Sequence, residues 1–326
     1  MTLDPIIEHF KLAPTQIHPL AGGANNRVYK LEFKTQEPLI LKQYFQHPQD
    51  QRPRLHAEFS FLQYAWQAGI RNVPQPLTFS SELNAALYSF LPGRLAQTAD
   101  ISDTAIQQMI NFFLALNRGK SPATDLPPAS ESCFTLNNFI QITEKRIDRL
   151  RNTPLTTPLD LELANFLTQH LVPKWNRVKE NTCKAALHLN FPMEQPLDRC
   201  ITPSDFGLHN VLIRDNTLFF IDFEYAGWDD PCKTVCDLFC QPRVPIPHHY
   251  FTHISEAFSS VAQHPDKCLQ RIHLIFPVMQ MKWCCILLNA FTHIGKDRRA
   301  FSHSDEVAHR ESQLKQAKQL LLSIHP

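Results

Sequence analysis

Two carboxylates and one carboxamide, Asp205, Asn210 and Asp222, fall within the single stretch Ile201-Thr-Pro-Ser-Asp-Phe-Gly-Leu-His-Asn-Val-Leu-Ile-Arg-Asp-Asn-Thr-Leu-Phe-Phe-Ile-Asp-Phe-Glu224. Oxygen donors of this kind suit a hard divalent cation, and a carboxylate standing beside that cation can take a proton. The apolar runs 211–213 and 218–221 flank Arg214-Asp215-Asn216-Thr217, which is turn chemistry, so an antiparallel hairpin is predicted. Pairing Ile213 with Leu218 or Phe219 sets Asn210 opposite Asp222 or one residue off, with Cβ atoms roughly 5–8 Å apart. One cation can reach both. Asp205 lies on the loop just before Asn210 and is held near that cation without being its main ligand.

In this arrangement the sequence resembles a known family. Asp205-Phe-Gly-Leu-His-Asn210 has the D-x-x-x-x-N spacing of a kinase catalytic loop, and Asp222-Phe223-Glu224 stands where kinases carry their metal-binding D-F-G aspartate. The run Ile221-Asp-Phe-Glu-Tyr-Ala-Gly-Trp-Asp-Asp-Pro231 looks more like the aminoglycoside phosphotransferase and choline kinase family of small-molecule kinases than like a protein kinase. No A-P-E-like segment follows Asp222. One departure stands out: the family usually has a histidine two residues before the catalytic aspartate, where it supports the loop, and this chain has Pro203-Ser204-Asp205.

The resemblance covers roughly residues 17–292 and implies an α+β, protein-kinase-like fold of two lobes. Residues 1–91 would form a nucleotide-binding lobe of antiparallel sheet plus one helix, and residues 92–326 a mainly helical catalytic and substrate lobe. It further implies ATP and Mg2+ as cofactors, Asp205 as the catalytic group, Asn210 and Asp222 as metal ligands, and a small-molecule hydroxyl as acceptor. Its rival is a pseudokinase that binds nucleotide or protein without turnover, for which Pro203 is the support.

The elements that must position these groups can be read in turn. Ile17 to Phe33 reads as strand, glycine turn and strand, and Gly22-Gly23-Ala-Asn25-Asn26-Arg-Val-Tyr29 matches the family's G-G-x-x-N-x-x-Y pattern. By itself such a turn is common without a ligand. Lys42 lies on the next strand, on the face of Ile40 and Tyr44. Glu58 sits within the apolar stripe Leu55, Phe59, Leu62, Trp66 of a helix that Gly69 ends. A buried carboxylate needs a partner, which Lys42 can supply; a local pair with Arg54 is the competing reading. The strand 85–93 ends in Ser89-Phe-Leu91-Pro-Gly, similar to the family's E-Y-L-P-G linker beside the adenine, and a strand over 73–77 precedes it.

Helices are expected over 106–117, 139–150 and 161–187, the last broken or bent at Pro173, and over 272–291, bent at Pro277. Asp230-Pro231 reads as a helix N-cap and first residue, placing Cys232, Cys236 and Cys240 on one face of a helix through Phe239 as buried structural cysteines. Ser304-Asp305 reads as the cap of a final helix over 306–322. Glu224, Asp229, Asp230 and Asp237 could attract a cationic acceptor. Equally, Asp230 could only cap its helix, Asp237 brace the catalytic loop and Glu224 act on the metal side.

The 326 residues carry 32 basic and 31 acidic side chains for a net charge of +1, with no long run of one sign, which argues against nucleic acid or an anionic membrane as the main partner. Nine scattered cysteines, two of them adjacent, suit a reducing compartment, and the first residues lack a signal-peptide pattern. The apolar segment 272–294 contains Lys282 and Gln280 and falls short of an uncharged spanning run. A cytoplasmic protein without membrane insertion is expected. Oligomeric state has no signature here.

Overall fold

The computed structural model describes residues 3–20, 26–48, 50–121, 124–293 and 307–325. Five antiparallel strands, β1 (Gln16–Leu20), β2 (Asn26–Glu32), β3 (Leu39–Tyr44), β4 (Pro76–Ser80) and β5 (Ala85–Ser89), form a sheet in the order β1-β2-β3-β5-β4. The two faces of β3 go to different cores, as strand alternation requires. Leu41 joins Ile6, Leu31, Ala85 and Leu87 beneath helix α1 (Asp4–His9). Lys42 points the other way, toward α2 (Arg54–Gln67), whose Leu55, Phe59 and Leu62 belong to the main core with Tyr44 and Tyr88. Gly69 ends α2 with φ +82°, a conformation that favours glycine.

From Arg94 onward helices dominate: α3 (Asp103–Asn117), α4 (Leu136–Arg151), α5 (Pro158–Phe166), α6 (Val172–His188), α7 (Pro231–Cys240), α8 (Phe251–Ser259), α9 (Pro265–Leu287) and α10 (Val307–Ser323). Two small sheets lie between the lobes' helices. One contains β6 (Arg94–Leu95), β8 (Val211–Arg214) and β9 (Thr217–Phe220); the other pairs β7 (Cys200–Thr202) with β10 (Gly227–Asp229). By length and composition Pro265–Phe291 could cross a membrane, but two-thirds of its most apolar window is buried, packed by α4, α6, α7, α8 and α10. It is the central helix of the second lobe, and Pro277 lies within it.

Several elements depart from the sequence reading for identifiable reasons. The strand expected over 73–77 begins at Pro76 instead, because Pro74 and Pro76 cannot donate to a ladder and a strand tolerates proline best at its first residue. The helix through Pro173 is not broken: a π-helical turn, Leu167–Leu171, joins α5 to α6 immediately before the proline. A widened turn accommodates both the missing N–H and the ring's clash with the preceding turn. The β7–β10 pair was not foreseen. It brings Gly227 so close to the 127–129 segment that a Cβ there would lie 2.2 Å from the Pro127 carbonyl oxygen, so this glycine serves packing. Ser304-Asp305 lie outside the described residues.

Candidate active site

Strand and helix periodicity bring Lys42 and Glu58 together. Lys42 Nζ donates to Glu58 Oε2 at 2.6 Å, with both side chains buried. Glu58 is held from two further directions: the Tyr44 hydroxyl donates to Oε2 at 2.8 Å and the Phe223 N–H donates to Oε1 at 3.2 Å. Since the Tyr44 hydrogen goes to Glu58, Tyr88 donates to Tyr44 across 2.6 Å. Arg54 pairs instead with Asp50 (2.6 Å) and stands 3.5 Å from Glu224, so the local Glu58–Arg54 reading falls away.

The hairpin delivers the second half of the site. Asp215 and Asn216 both have positive φ, as a two-residue hairpin turn demands, and the register sets Ile213 opposite Leu218. The Ile221 N–H donates to the Asn210 carbonyl at 3.0 Å, which leaves Asp222 one residue beyond Asn210's partner. Asp222 itself has φ +67°, a left-handed conformation unusual for aspartate that turns the chain out of the hairpin. Its Oδ1 accepts from Lys42 Nζ at 2.6 Å. One ammonium therefore joins β3, α2 and the end of the hairpin.

Asp205 is tied to the same hairpin through Asn210, whose Nδ2 donates to the Asp205 carbonyl at 3.0 Å. The loop is braced without the usual histidine. Ser204 has φ +66°, its N–H donates to Thr202 Oγ1 at 3.0 Å, and Thr202 accepts from Thr234 of α7 at 2.8 Å. His209 Nε2 lies 3.3 Å from Asp205 Oδ2.

Glu224, already expected near the site, extends the cluster through partners the sequence did not reveal. It is buried, accepts from Asn26 Nδ2 at 2.9 Å, and faces Arg54. Asp50 binds Arg52 and Arg54, which places four carboxylates (Glu58, Asp222, Glu224, Asp50) against three cations (Lys42, Arg54, Arg52). Burial alone would pull the Lys42 ammonium down, but Asp222, Glu58 and Glu224 outweigh it and raise its pKa. Burial raises both the Glu58 and the Glu224 carboxyl, with Asp222 adding to each. The Asn26 Oδ1 atom is buried and unpartnered. An excess negative charge beside Asp222 and the oxygen-only donor pair of Asn210 and Asp222 fit a hard divalent cation such as Mg2+.

Other expected residues divide clearly. Asn26 is in the site; Gly22, Gly23 and Asn25 lie outside the described residues. Ser89 pairs with Leu39, three residues along β3 from Lys42, or about 10 Å away along the strand. Its hydroxyl accepts from the Gln75 N–H at 2.8 Å, and Leu91 is half-buried beyond it.

The acidic residues after the hairpin face internal cations and are not available to a cationic acceptor. Asp229 pairs with Lys233 (3.0 Å), Asp230 with Arg271 (3.1 Å), and Asp237 with Lys233 (3.1 Å) and Lys282 (2.6 Å). Asp230 also caps α7, as expected. Asp237 does not brace the catalytic loop; it accepts from Lys282 and from Trp283 Nε1, because its side chain is directed at α9. Cys232, Cys236 and Cys240 are buried, and Cys232 Sγ lies 3.4 Å from Cys268 Sγ. With Asp230 these two sulfurs could geometrically hold a metal, but burial pushes the Cys232 thiol pKa up and Arg271 already holds Asp230.

An antiparallel sheet with one helix across its cleft face, joined to a helical lobe that carries the Asn210–Asp222 hairpin, is the protein-kinase-like fold. Solved structures agree along nearly the whole chain. A choline/ethanolamine kinase family protein from Mesorhizobium loti is 16% identical, covering 98% of this chain and 95% of its own, with a TM-score of 0.61. A spectinomycin phosphotransferase in complex with ADP and spectinomycin is 12% identical over 99% and 98%, with a TM-score of 0.66. An amicoumacin kinase in complex with AMP-PNP, Ca2+ and Ami is 14% identical over 98% and 93%, with a TM-score of 0.59. No curated protein matches the sequence. The profile of the phosphotransferase enzyme family matches residues 16–241, and the chain belongs to that family.

Proposed function

We propose that this protein transfers the γ-phosphoryl group of ATP to a hydroxyl of a small molecule, an amino alcohol, aminoglycoside or sugar-like acceptor, in the cytoplasm. The observation that carries this reading is the convergence of Glu58 and Asp222 on the Lys42 ammonium, with Asn210 bonded between Asp205 and the hairpin. Asp205, partly exposed, orients the acceptor hydroxyl and takes its proton; a positioned base contributes ~10²–10⁴-fold. Asn210 and Asp222 would hold Mg2+, which would supply positive charge to offset that of the phosphates. Lys42, fixed by Glu58, binds the non-transferred phosphates. Gly22, Gly23, Asn25 and Asn26 would cover them, while Ser89 and Leu91 would meet the base edge. The lobe boundary falls near Leu91.

Phosphoryl transfer needs positioning and charge neutralisation rather than a protein nucleophile, so these groups suffice. The pseudokinase reading drew its support from Pro203. The hydroxyl chain through Thr202 and Thr234 supports the loop in that histidine's absence, which favours an active enzyme.

The test is thermal stability with ATP, with and without Mg2+, for the wild type and Asp222→Asn. At 100 times its dissociation constant a ligand stabilises by ~2.7 kcal/mol. Mg-ATP is expected to raise the wild-type midpoint by a few degrees, and Asp222→Asn to remove the metal-dependent part. A wild type indifferent to Mg-ATP overturns the reading.

A further inference from the structure

We infer that His209, four residues after the aspartate, is a positioning residue for the Asp205 carboxylate. The inference rests on Asp205 being the catalytic group. His209 Nε2 lies 3.3 Å from Asp205 Oδ2, and its side chain is only 8% exposed. Its other nitrogen, Nδ1, is buried and unpartnered. A proton on Nδ1 would be a buried donor with no acceptor, so the proton belongs on Nε2, which then donates to the carboxylate. A hydrocarbon side chain would fill this space without stranding a nitrogen. What the imidazole adds is the bond to Asp205.

Gly207 supplies an independent observation. Its backbone is not left-handed, with φ −112°, so conformation does not demand glycine. Space does: a Cβ there would lie 2.4 Å from His209 Nδ1 and 2.7 Å from Cε1. The glycine admits the imidazole beneath the loop. Consecutive residues of one 3₁₀ turn, Leu208–Asn210, thus secure both ends of Asp205, His209 its carboxylate and Asn210 its carbonyl. Between them Phe206 anchors the loop in the core beside Phe112, Phe220 and Phe258. The carboxylate's orientation toward an acceptor is set by the imidazole.

The experiment measures ADP release from Mg-ATP with water as acceptor, together with the Mg-ATP-dependent melting shift, for wild type, His209→Ala, His209→Phe, His209→Gln, Gly207→Ala and the Gly207→Ala/His209→Ala double variant. His209→Ala and His209→Phe are expected to lower kcat by ~10–100-fold, the scale of a misplaced catalytic group, with the KM for Mg-ATP and the melting shift held within about twofold. His209→Gln, which keeps a donor, should recover part of the loss. Gly207→Ala should match His209→Ala, and the double variant should be no worse than either, because both remove one contact. Unchanged kcat in His209→Phe overturns the inference, as do losses confined to KM or losses that multiply in the double variant. A wild type that neither binds Mg-ATP nor releases ADP overturns the phosphotransfer reading itself, and the role of His209 with it.

Discussion

Among the buried ionic networks of the described residues, two are built from the same residue types and put to different ends. The ladder of the second lobe sets Glu131, Asp229 and Asp237 against Arg146, Lys233 and Lys282, three charges of each sign. The network at the hairpin sets four carboxylates against three cations, contains an aspartate with positive φ, and leaves Asn26 Oδ1 unpartnered. A balanced buried network is complete and serves packing and specificity. Among the described residues, Asp222 and the unpartnered Asn26 Oδ1 beside the buried carboxylates make the hairpin network the one suited to a further cation, where sequence motifs alone offered four further acidic candidates.

The largest test of that contrast is Lys42→Met, which removes the ammonium from between Glu58 and Asp222. Loss of one preorganised charge of this kind costs ~10²–10³-fold in turnover. Without nucleotide the variant should also melt lower at neutral pH and be restored in part by Mg2+ alone, since the cation offsets the carboxylates. A midpoint indifferent to Mg2+ would show that the imbalance is not a cation site.

Asp237→Ala strikes the ladder instead, leaving Lys282 buried without its carboxylate and Lys233 with Asp229 alone. A stability loss of about 3–5 kcal/mol is expected, a fall of roughly 4–7 °C in midpoint, with no recovery on adding Mg2+. Turnover per folded molecule should be unchanged. A wild-type midpoint in this variant would remove the ladder from any structural role.

The pH dependence divides the carboxylates by sign, with Asp229 of the ladder on the side of Glu58 and Glu224. Asp237 is buried, which would raise its pKa, but Lys233 and Lys282 hold it down to about 2. Glu131 is likewise held at about 2 against its burial, by Arg146, Lys282 and Lys233. Their contribution is present above the unfolded value of ~4 and is lost as pH falls toward 2, roughly 2–3 kcal/mol for each group. Burial lifts Asp229 to about 6 and raises Glu58 and Glu224, so their contribution is full below ~4 and is lost as pH climbs through the folded values. The midpoint should therefore rise from pH 7 to about 5 and fall below about 4. Glu224→Gln should flatten the first limb and Asp237→Asn the second; a profile unaltered in both variants would refute the assignment.

Much of the site was legible from local periodicity. Strand alternation aims Lys42 at the cleft, the helical stripe places Glu58 beside it, and the hairpin register puts Asp222 one residue beyond the partner of Asn210. Gly69, Asp230 and Pro231 mark helix ends by the same short-range logic. Periods of two and 3.6 residues, turn chemistry and capping are properties of the neighbouring sequence, so they can be read there. Tyr44 was legible in the same way, on the face of Lys42, and the Gly207-Leu-His209 spacing carried a signal that went unread.

What only the tertiary structure decided are the partnerships between distant segments. Nothing near Glu224 announces Asn26 or Arg54, and nothing near Asp237 announces Lys282 and Trp283 on α9. Whether an acidic residue near a motif faces a ligand or an internal cation depends on which elements pack together. That packing is set by apolar surface throughout the chain, while the charge balance of each network emerges only once the lobes' cores have closed around it.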